Sequence, residues 1–215
     1  MKQDFYFFRH GQTDYNIEKR SQGWLDIPLN NKGIAQAHEL AQKLSTIKFD
    51  CIYSSPLSRA LKTAEIVRGN RNIKIITDDG LKERNMGIIG GNLITLTDAP
   101  ASTPIHINKD TIEIPAVLFA DEDFIPENGE SYNMYAKRVM DTLLKIAHNT
   151  KDKTVGIAVH SGVIRVLLRA LTNQKFPPGS VPNATYIKMQ WDGKNFTLPE
   201  PPDWLLQFNN TNQPK

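Results

Sequence analysis

Four short apolar runs in this chain alternate with stretches of helical periodicity, and that alternation narrows the fold more than any other feature. Asp4 to Phe8, about Asp50 to Tyr53, Ile73 to Thr77 and Val155 to Val159 read as strands. Helical spacing links Ile34, Ala37, Leu40, Ala41 and Leu44, then Leu57, Ala60, Leu61, Ala64 and Val67. It returns at Tyr132, Tyr135, Ala136, Val139, Met140, Leu143, Leu144 and Ala147, and Val163 to Leu171 is apolar almost all round, as in a buried helix. Asn30 or Asn31, Ser55 with Pro56 at the first helical position, and Ser131 stand where helix caps belong. Strands joined through helices run parallel. The chain is therefore expected to form a three-layer α/β/α sandwich with a mostly parallel central sheet. Ala184 to Trp191 and Asn195 to Leu198, around Asp192-Gly193, add an antiparallel hairpin at an edge.

With 215 residues, 40% of them apolar, there is enough chain for one domain with a sizeable core and too little for two full-sized ones. We assign residues 1–198 to that domain and 199–215, rich in Pro, Asn and Gln, to a tail mobile at its end. Within the domain, 86–128 contains Pro100, Pro104, Pro115 and Pro126 with no sustained helical period, and reads as an insertion or cap. No apolar run is long enough to span a bilayer, and Met1 to Arg9 lacks the pattern of a secretory signal, so a soluble, cytoplasmic protein with no membrane partner is expected. The lone Cys51 rules out a disulfide framework and reads as a buried apolar residue. The net charge of +3 is scattered, so nucleic acid is not an expected partner. There is no GxxxxGK[ST] phosphate loop and no GxGxxG after a strand.

In open α/β sheets chemistry gathers at the carboxyl ends of the strands. Here the first strand ends in Arg9-His10-Gly11, the second leads to Arg59, the third to Glu83-Arg84 and the fourth to His160-Ser161-Gly162. Each group alone has an ordinary structural explanation; four at separate strand ends are harder to dismiss. Two guanidinium forks suit the oxygens of a phosphoryl group, gripped by paired charge-assisted hydrogen bonds. A helix opening after His160 adds N–H donors and partial positive charge.

The ordered blocks Phe8-Arg9-His10-Gly11-Gln12-Thr13 with Asn16, Ser54-Ser55-Pro56-Leu57-Ser58-Arg59-Ala60, Leu81-Lys82-Glu83, Gly129-Glu130-Ser131 and Val159-His160-Ser161-Gly162-Val163-Ile164-Arg165 resemble the histidine phosphatase superfamily, also called the phosphoglycerate mutase-like family, with its RHG motif. The resemblance runs from Asp4 to about Trp191. It implies a phosphoglycerate mutase-like fold with a cap insertion and an enzyme of the histidine acid phosphatase type, a phosphoric monoester hydrolase with His10 as nucleophile, forming a phosphohistidine. Arg9 and Arg59 would disfavour the imidazolium of His10 and spread the charge of the transferring group. His160 would donate to phosphate, best when protonated, and Glu83 would serve as general acid and then base, with Asp14 the alternative carboxylate. Asn16, Gly23 and Ser161 would help bind substrate, and Arg84 would meet a substrate carboxylate or second phosphate, or serve only at the surface. No metal or other cofactor is implied.

Within this resemblance a mutase calls for extra basic residues in the cap. Between Met86 and Asn128 there is one, Lys109, against Asp98, Asp110, Glu113, Asp121, Glu122, Asp123 and Glu127. That count favours hydrolysis of a phosphomonoester over mutase-type transfer, and a neutral or cationic leaving group over a polyanion. It also has a bland reading as a solvated surface. A small-molecule phosphomonoester is the expected partner, a phosphoprotein segment stays open, and the remaining alternative is a non-catalytic module that recognises phosphate.

Overall fold

The computed structural model describes residues 2–211. Strand β1 (Gln3–Arg9) explains its own aromatic run: Phe5 and Phe7 face one side of the sheet and Tyr6 and Phe8 the other, and all four are buried. A strand covered on both faces has no place for alternating polar residues. A short α1 (Asp14–Ile17), held by a reciprocal cap between Thr13 and Asn16, leads to α2 (Asn31–Lys43), where Asn30 accepts from the N–H of Gly33. There follow β2 (Cys51–Ser54), α3 (Ser58–Arg68) and β3 (Lys74–Thr77). A second group comprises β4 (Leu93–Thr97), β5 (His106–Asn108), β6 (Thr111–Pro115) and α4 (Ala116–Ala120). The chain then forms α5 (Tyr132–Asn149), β7 (Thr154–Val159), α6 (Ser161–Thr172), β8 (Tyr186–Trp191), β9 (Phe196–Thr197) and α7 (Asp203–Thr211).

The main sheet has the order β3-β2-β7-β1-β8-β9, with the first four strands parallel and β8 and β9 antiparallel. On one face Phe5 and Phe7 pack with Leu143 of α5 and Val163 and Leu167 of α6; on the other Tyr6 and Phe8 pack with Leu40 of α2 and Ala64 of α3. Each such ring stabilises the fold by about 1.5–3 kcal/mol on burial. The three-layer expectation holds, and β1, β2 and β7 end side by side at the centre.

Three local expectations need correction. Helix α3 begins at Ser58 with Leu57 at its cap, so Pro56 is not the first helical residue; Ser55 instead turns its hydroxyl to the N–H of Leu57 and to His160. Residues 86–128 are more regular than their prolines suggest, since β4, β6 and β5 make a small sheet over a core of Ile89, Ile112 and Ile114. Phe119 and Phe124 pack against that core. Part of the stretch read as a tail forms α7, which buries Leu205; residues 212–215 lie outside the described region. No helix among the described residues is long and apolar enough to cross a membrane.

Candidate active site

The carboxyl end of β1 delivers Arg9 and His10 into the interior; His10 is buried, and its main chain is fixed by Val159 on one side and Ala184 on the other. Gly11 follows because nothing larger fits: an added Cβ would lie 2.2 Å from the carbonyl oxygen of Gly33 at the start of α2. The Nδ1 of His10 lies 2.7 Å from the carbonyl oxygen of Gly11, which can only accept, so Nδ1 carries the proton and Nε2 keeps the lone pair. Burial, then Arg9, His160 and Arg59, hold the His10 pKa well below the ordinary histidine value. The ring is a neutral base with a free nitrogen.

Arg59, from the first turn of α3, is 1% exposed; its Nη1 and Nη2 donate to the carbonyls of Leu25 and Gly23, each at 2.8 Å. Gly23 thus holds Arg59 through its main chain. Arg9 donates from Nη1 to the carbonyl of Val181 at 2.5 Å. Burial lowers the pKa of both arginines to about 10, which leaves them charged at neutral pH. His160, at the end of β7, packs edge-on to His10 with ring centroids 5.2 Å apart and shares a 2.8 Å hydrogen bond with the hydroxyl of Ser55 through Nε2. Burial and the charges of Arg59 and Arg9 push its pKa well down as well. Without an anion the ring is held toward its neutral form, so the protonated donor expected of His160 is one that a bound anion would have to stabilise.

The Nε atoms of Arg9 and Arg59 and the Nδ1 of His160 are buried without a hydrogen-bond partner among the described residues. Buried polar groups are nearly always paired, and an unpaired one costs about 1–3 kcal/mol. All three belong to residues whose charges or rings bear on His10, and two are on cations, so an anion with several acceptor oxygens would satisfy them.

Glu83 joins from the loop after β3. Its Oε1 accepts from the hydroxyl of Tyr135 at 2.7 Å and the N–H of Arg84 at 3.0 Å, and its Oε2 from the N–H of Gly162 at 3.0 Å. Burial pushes the Glu83 pKa up, but the charge of Arg165 and these three donors outweigh it, and the net shift is downward. An added Cβ on Gly162 would lie 2.0 Å from Oε1, so only glycine lets α6 begin this close to the carboxylate. The loop is braced from behind, where Arg138 Nη2 and Trp24 Nε1 donate to the Glu83 carbonyl at 3.1 and 2.7 Å.

The remaining candidates separate. Asn16 spends its amide oxygen on the N–H of Thr13 and the side chain of Asn183, which leaves its NH2 as the uncommitted end of the side chain among the described residues. Asp14 is exposed and bound to Asn30, apart from the buried cluster. Ser161 opens α6 and is half-buried. Arg84 donates from Nε to the Glu130 carbonyl at 2.9 Å and from Nη2 to that of Phe124 at 3.2 Å, between the core and the cap segment. Glu130 pairs with Arg138 at 2.7 Å, and Ser131 caps α5. Sequence reasoning missed Ser55, Tyr135, Gly162 and Arg165 as parts of this cluster, although Ser55, Gly162 and Arg165 stand inside quoted blocks. Among the described residues, no group of three His, Cys, Asp or Glu side chains is arranged to hold a metal ion.

Two arginines and two buried histidines at the sheet's carboxyl edge combine cations with a neutral nucleophilic nitrogen, a combination suited to phosphoryl transfer. The profile of the histidine phosphatase superfamily (branch 1) matches residues 5–201, and the chain belongs to that superfamily. It is 35% identical over 193 residues to phosphoglycerate mutase-like protein 4 of Arabidopsis thaliana, a match covering 88% of this chain and 80% of that protein. It is 28% identical over 197 residues to the uncharacterized phosphatase PhoE of Bacillus subtilis, covering 88% and 92%. The solved mycobacterial glucosyl-3-phosphoglycerate phosphatase superposes with a TM-score of 0.68 at 25% identity, over 93% of this chain and 98% of that one.

Proposed function

We propose that the protein is a phosphatase of the histidine acid phosphatase type, hydrolysing a small phosphomonoester through a phosphohistidine on His10. The observation that carries this reading is the neutral His10, with its Nε2 lone pair free, beside the unpaired donors of Arg9, Arg59 and His160. Nε2 attacks phosphorus in line as the P–O bond to the leaving group breaks, and the two guanidinium groups hold the equatorial oxygens as charge spreads over them. Stabilisation of that charge falls to arginine. Asn16 contributes its NH2, and Gly23 holds Arg59 in place.

Glu83 supplies the leaving oxygen with a proton and later takes one from the attacking water. Its lowered pKa means that the free enzyme holds it ionised, so the proton comes with the substrate. A phosphomonoester loses its second proton near pH ~6. A monoanion placed beside ionised Glu83 is equivalent, in protons, to a dianion beside the acid. His10 needs no deprotonation at neutral pH, so kcat/KM falls as pH rises above the second pKa of the ester.

The test is release of inorganic phosphate from phenyl phosphate between about pH 5 and 8 with a chelator present, for the unaltered protein and His10→Ala. Turnover that resists the chelator and falls at least ~10³-fold in the variant is expected, since the nucleophile has no substitute. Unchanged turnover in the variant would exclude His10. Mutase-type transfer uses the same pocket, and is distinguished by phosphate that moves within a substrate without being released.

A further inference from the structure

Between the cap segment and α6 lies a cavity of about 440 Å³. Its charged walls are Asp121 and Glu122 from the cap side against Arg84, the α6 residues Arg165 and Arg169, and Lys175 from the loop beyond, so cations outnumber carboxylates. It adjoins the catalytic cluster, because Arg165 is near enough to Arg9 and Glu83 to shift the pKa of both. Arg84, another wall residue, donates its main-chain N–H to Glu83. A leaving oxygen protonated by Glu83 departs toward this side, so the rest of the substrate belongs here; that step rests on the role given to Glu83 above.

Arg165 and Arg169 stand one turn apart on one face of α6, a like-charge spacing that is unfavourable unless an anion accompanies it. At Arg169 the anion is visible. The Glu122 carboxylate accepts from Nη1 at 2.9 Å and from Nη2 at 3.0 Å, and Lys175 adds a third contact at 2.8 Å. Burial opposes ionisation of Glu122 only weakly against the hydrogen bonds from Arg169 and Lys175, and its pKa falls to about 2. One turn nearer the catalytic cluster, Arg165 has no carboxylate in contact among the described residues: its Nη1 donates to the Phe176 carbonyl at 3.3 Å, and its buried Nε has no hydrogen-bond partner among them. The wall is thus a carboxylate receptor seen with a carboxylate in it, and that carboxylate belongs to the protein.

We infer that this cavity is an anion subsite: the leaving group of the substrate carries a carboxylate or a second phosphate of its own, received by Arg165, Arg169 and Lys175 in exchange for the carboxylate of Glu122. Tyr132, whose ring lies 5.0 Å from the Arg169 guanidinium, gives the site an aromatic wall. An anionic leaving group runs opposite to the expectation of a neutral or cationic one, and the esters compared below decide between them. The earlier count covered the cap alone, while the charges that favour an anion stand opposite it on α6.

The test compares phenyl phosphate with 3-carboxyphenyl phosphate and 1,3-phenylene bisphosphate. The unaltered protein is expected to favour an anionic ester by about tenfold or more in kcat/KM, chiefly through KM, as a charge-assisted contact gives. Whichever anionic ester leads identifies the group as carboxylate or phosphate. Lys175→Ala, whose side chain is 75% exposed and carries no folding risk, should reduce the preference, and Arg169→Ala should bring it near one. Glu122→Gln should raise it roughly threefold, because the competing carboxylate is gone. Equal or poorer use of both anionic esters by the unaltered protein, or loss of the preference in Glu122→Gln, would overturn the inference; the second result would make Glu122 a plain latch. If no ester is hydrolysed, the hydrolytic reading fails on its own. Calorimetry with 3-carboxybenzylphosphonate against benzylphosphonate then decides: a gain near tenfold upholds the subsite, and no gain ends it.

Discussion

The cluster at the strand ends and the cap segment differ in how far side-chain pairs contribute to holding them. Arg9, His10 and His160 issue from adjacent strand ends, Arg59 from the first turn of α3, and main-chain groups fix most of them: Val181 for Arg9, Leu25 and Gly23 for Arg59, Gly11 for His10. The cap has a small core of its own and main-chain bonds to the body, from the N–H of Gly91 to the Ser21 carbonyl at 2.7 Å and from the N–H of Asn133 to the Glu122 carbonyl at 3.1 Å, and side-chain pairs add to these. Glu122 meets Arg169 and Lys175, Asp123 accepts from Asn133, and Asp110 lies 3.6 Å from Arg20. Main-chain anchors have no alternative partners and hold one geometry. Side-chain ion pairs at partly exposed positions are worth little each and exchange readily. On the function proposed above, the difference places the chemistry at the strand ends and leaves the exchangeable pairs of Glu122 to adjust recognition at the cap.

The sharpest way to break this comparison is to change a main-chain-anchored group conservatively. Arg59→Lys keeps the charge and loses the fork, leaving the carbonyls of Gly23 and Leu25 with a donor that cannot span them while facing phosphate. We expect kcat/KM to fall about 10²–10³-fold with little change in melting temperature. A loss below tenfold would mean that charge alone, not orientation, is what the pocket supplies. Gly162→Ala comes next. The new methyl group displaces the Glu83 carboxylate, and kcat should fall about 10²-fold while KM for phosphate esters holds. The pH dependence of kcat distinguishes this from general damage, since a displaced Glu83 flattens the profile and mere loosening of the fold leaves its shape intact.

Most of the cluster was legible because each residue sits where a strand run stops. Arg9-His10, Arg59, Glu83 and His160 needed only the strand ends and the ordered blocks. Gly162 and Tyr135 were not legible as site residues, because their importance is a distance to Glu83 across the fold, and sequence spacing carries no such distance. Ser55 was misread for a related reason: Ser-Pro before a helical pattern suits a cap, and the competing bond to His160 is tertiary. The cap sheet was missed because its strands are short and two of the three lie at edges, so Ile94, Leu96 and Ile107 show no sustained alternation of buried and exposed positions. The cavity itself was not legible, since its charged walls belong to segments separated by some forty residues of sequence.

The smallest predicted effect separates the two regions by pH and is read from stability alone. His10 and His160 are held neutral in the folded state, with pKa values well below the ordinary ~6.5 that the unfolded chain would show. Between those values the unfolded state binds more protons, so stability is fully present above pH ~6.5 and is lost as pH falls below it toward the folded values. Glu122 acts later. Its folded pKa of about 2 lies below the ordinary glutamate value of ~4.3, so its contribution is intact above that value and disappears only as pH falls from there toward 2. Melting curves should therefore decline in two stages, at roughly 2–4 °C for each kcal/mol lost. Replacing both histidines with glutamine should flatten the stage above pH ~4.3, and Glu122→Gln should weaken only the stage below it. A Glu122→Gln protein that lost the upper stage would show the cap and the phosphate-facing cluster to be one cooperative unit.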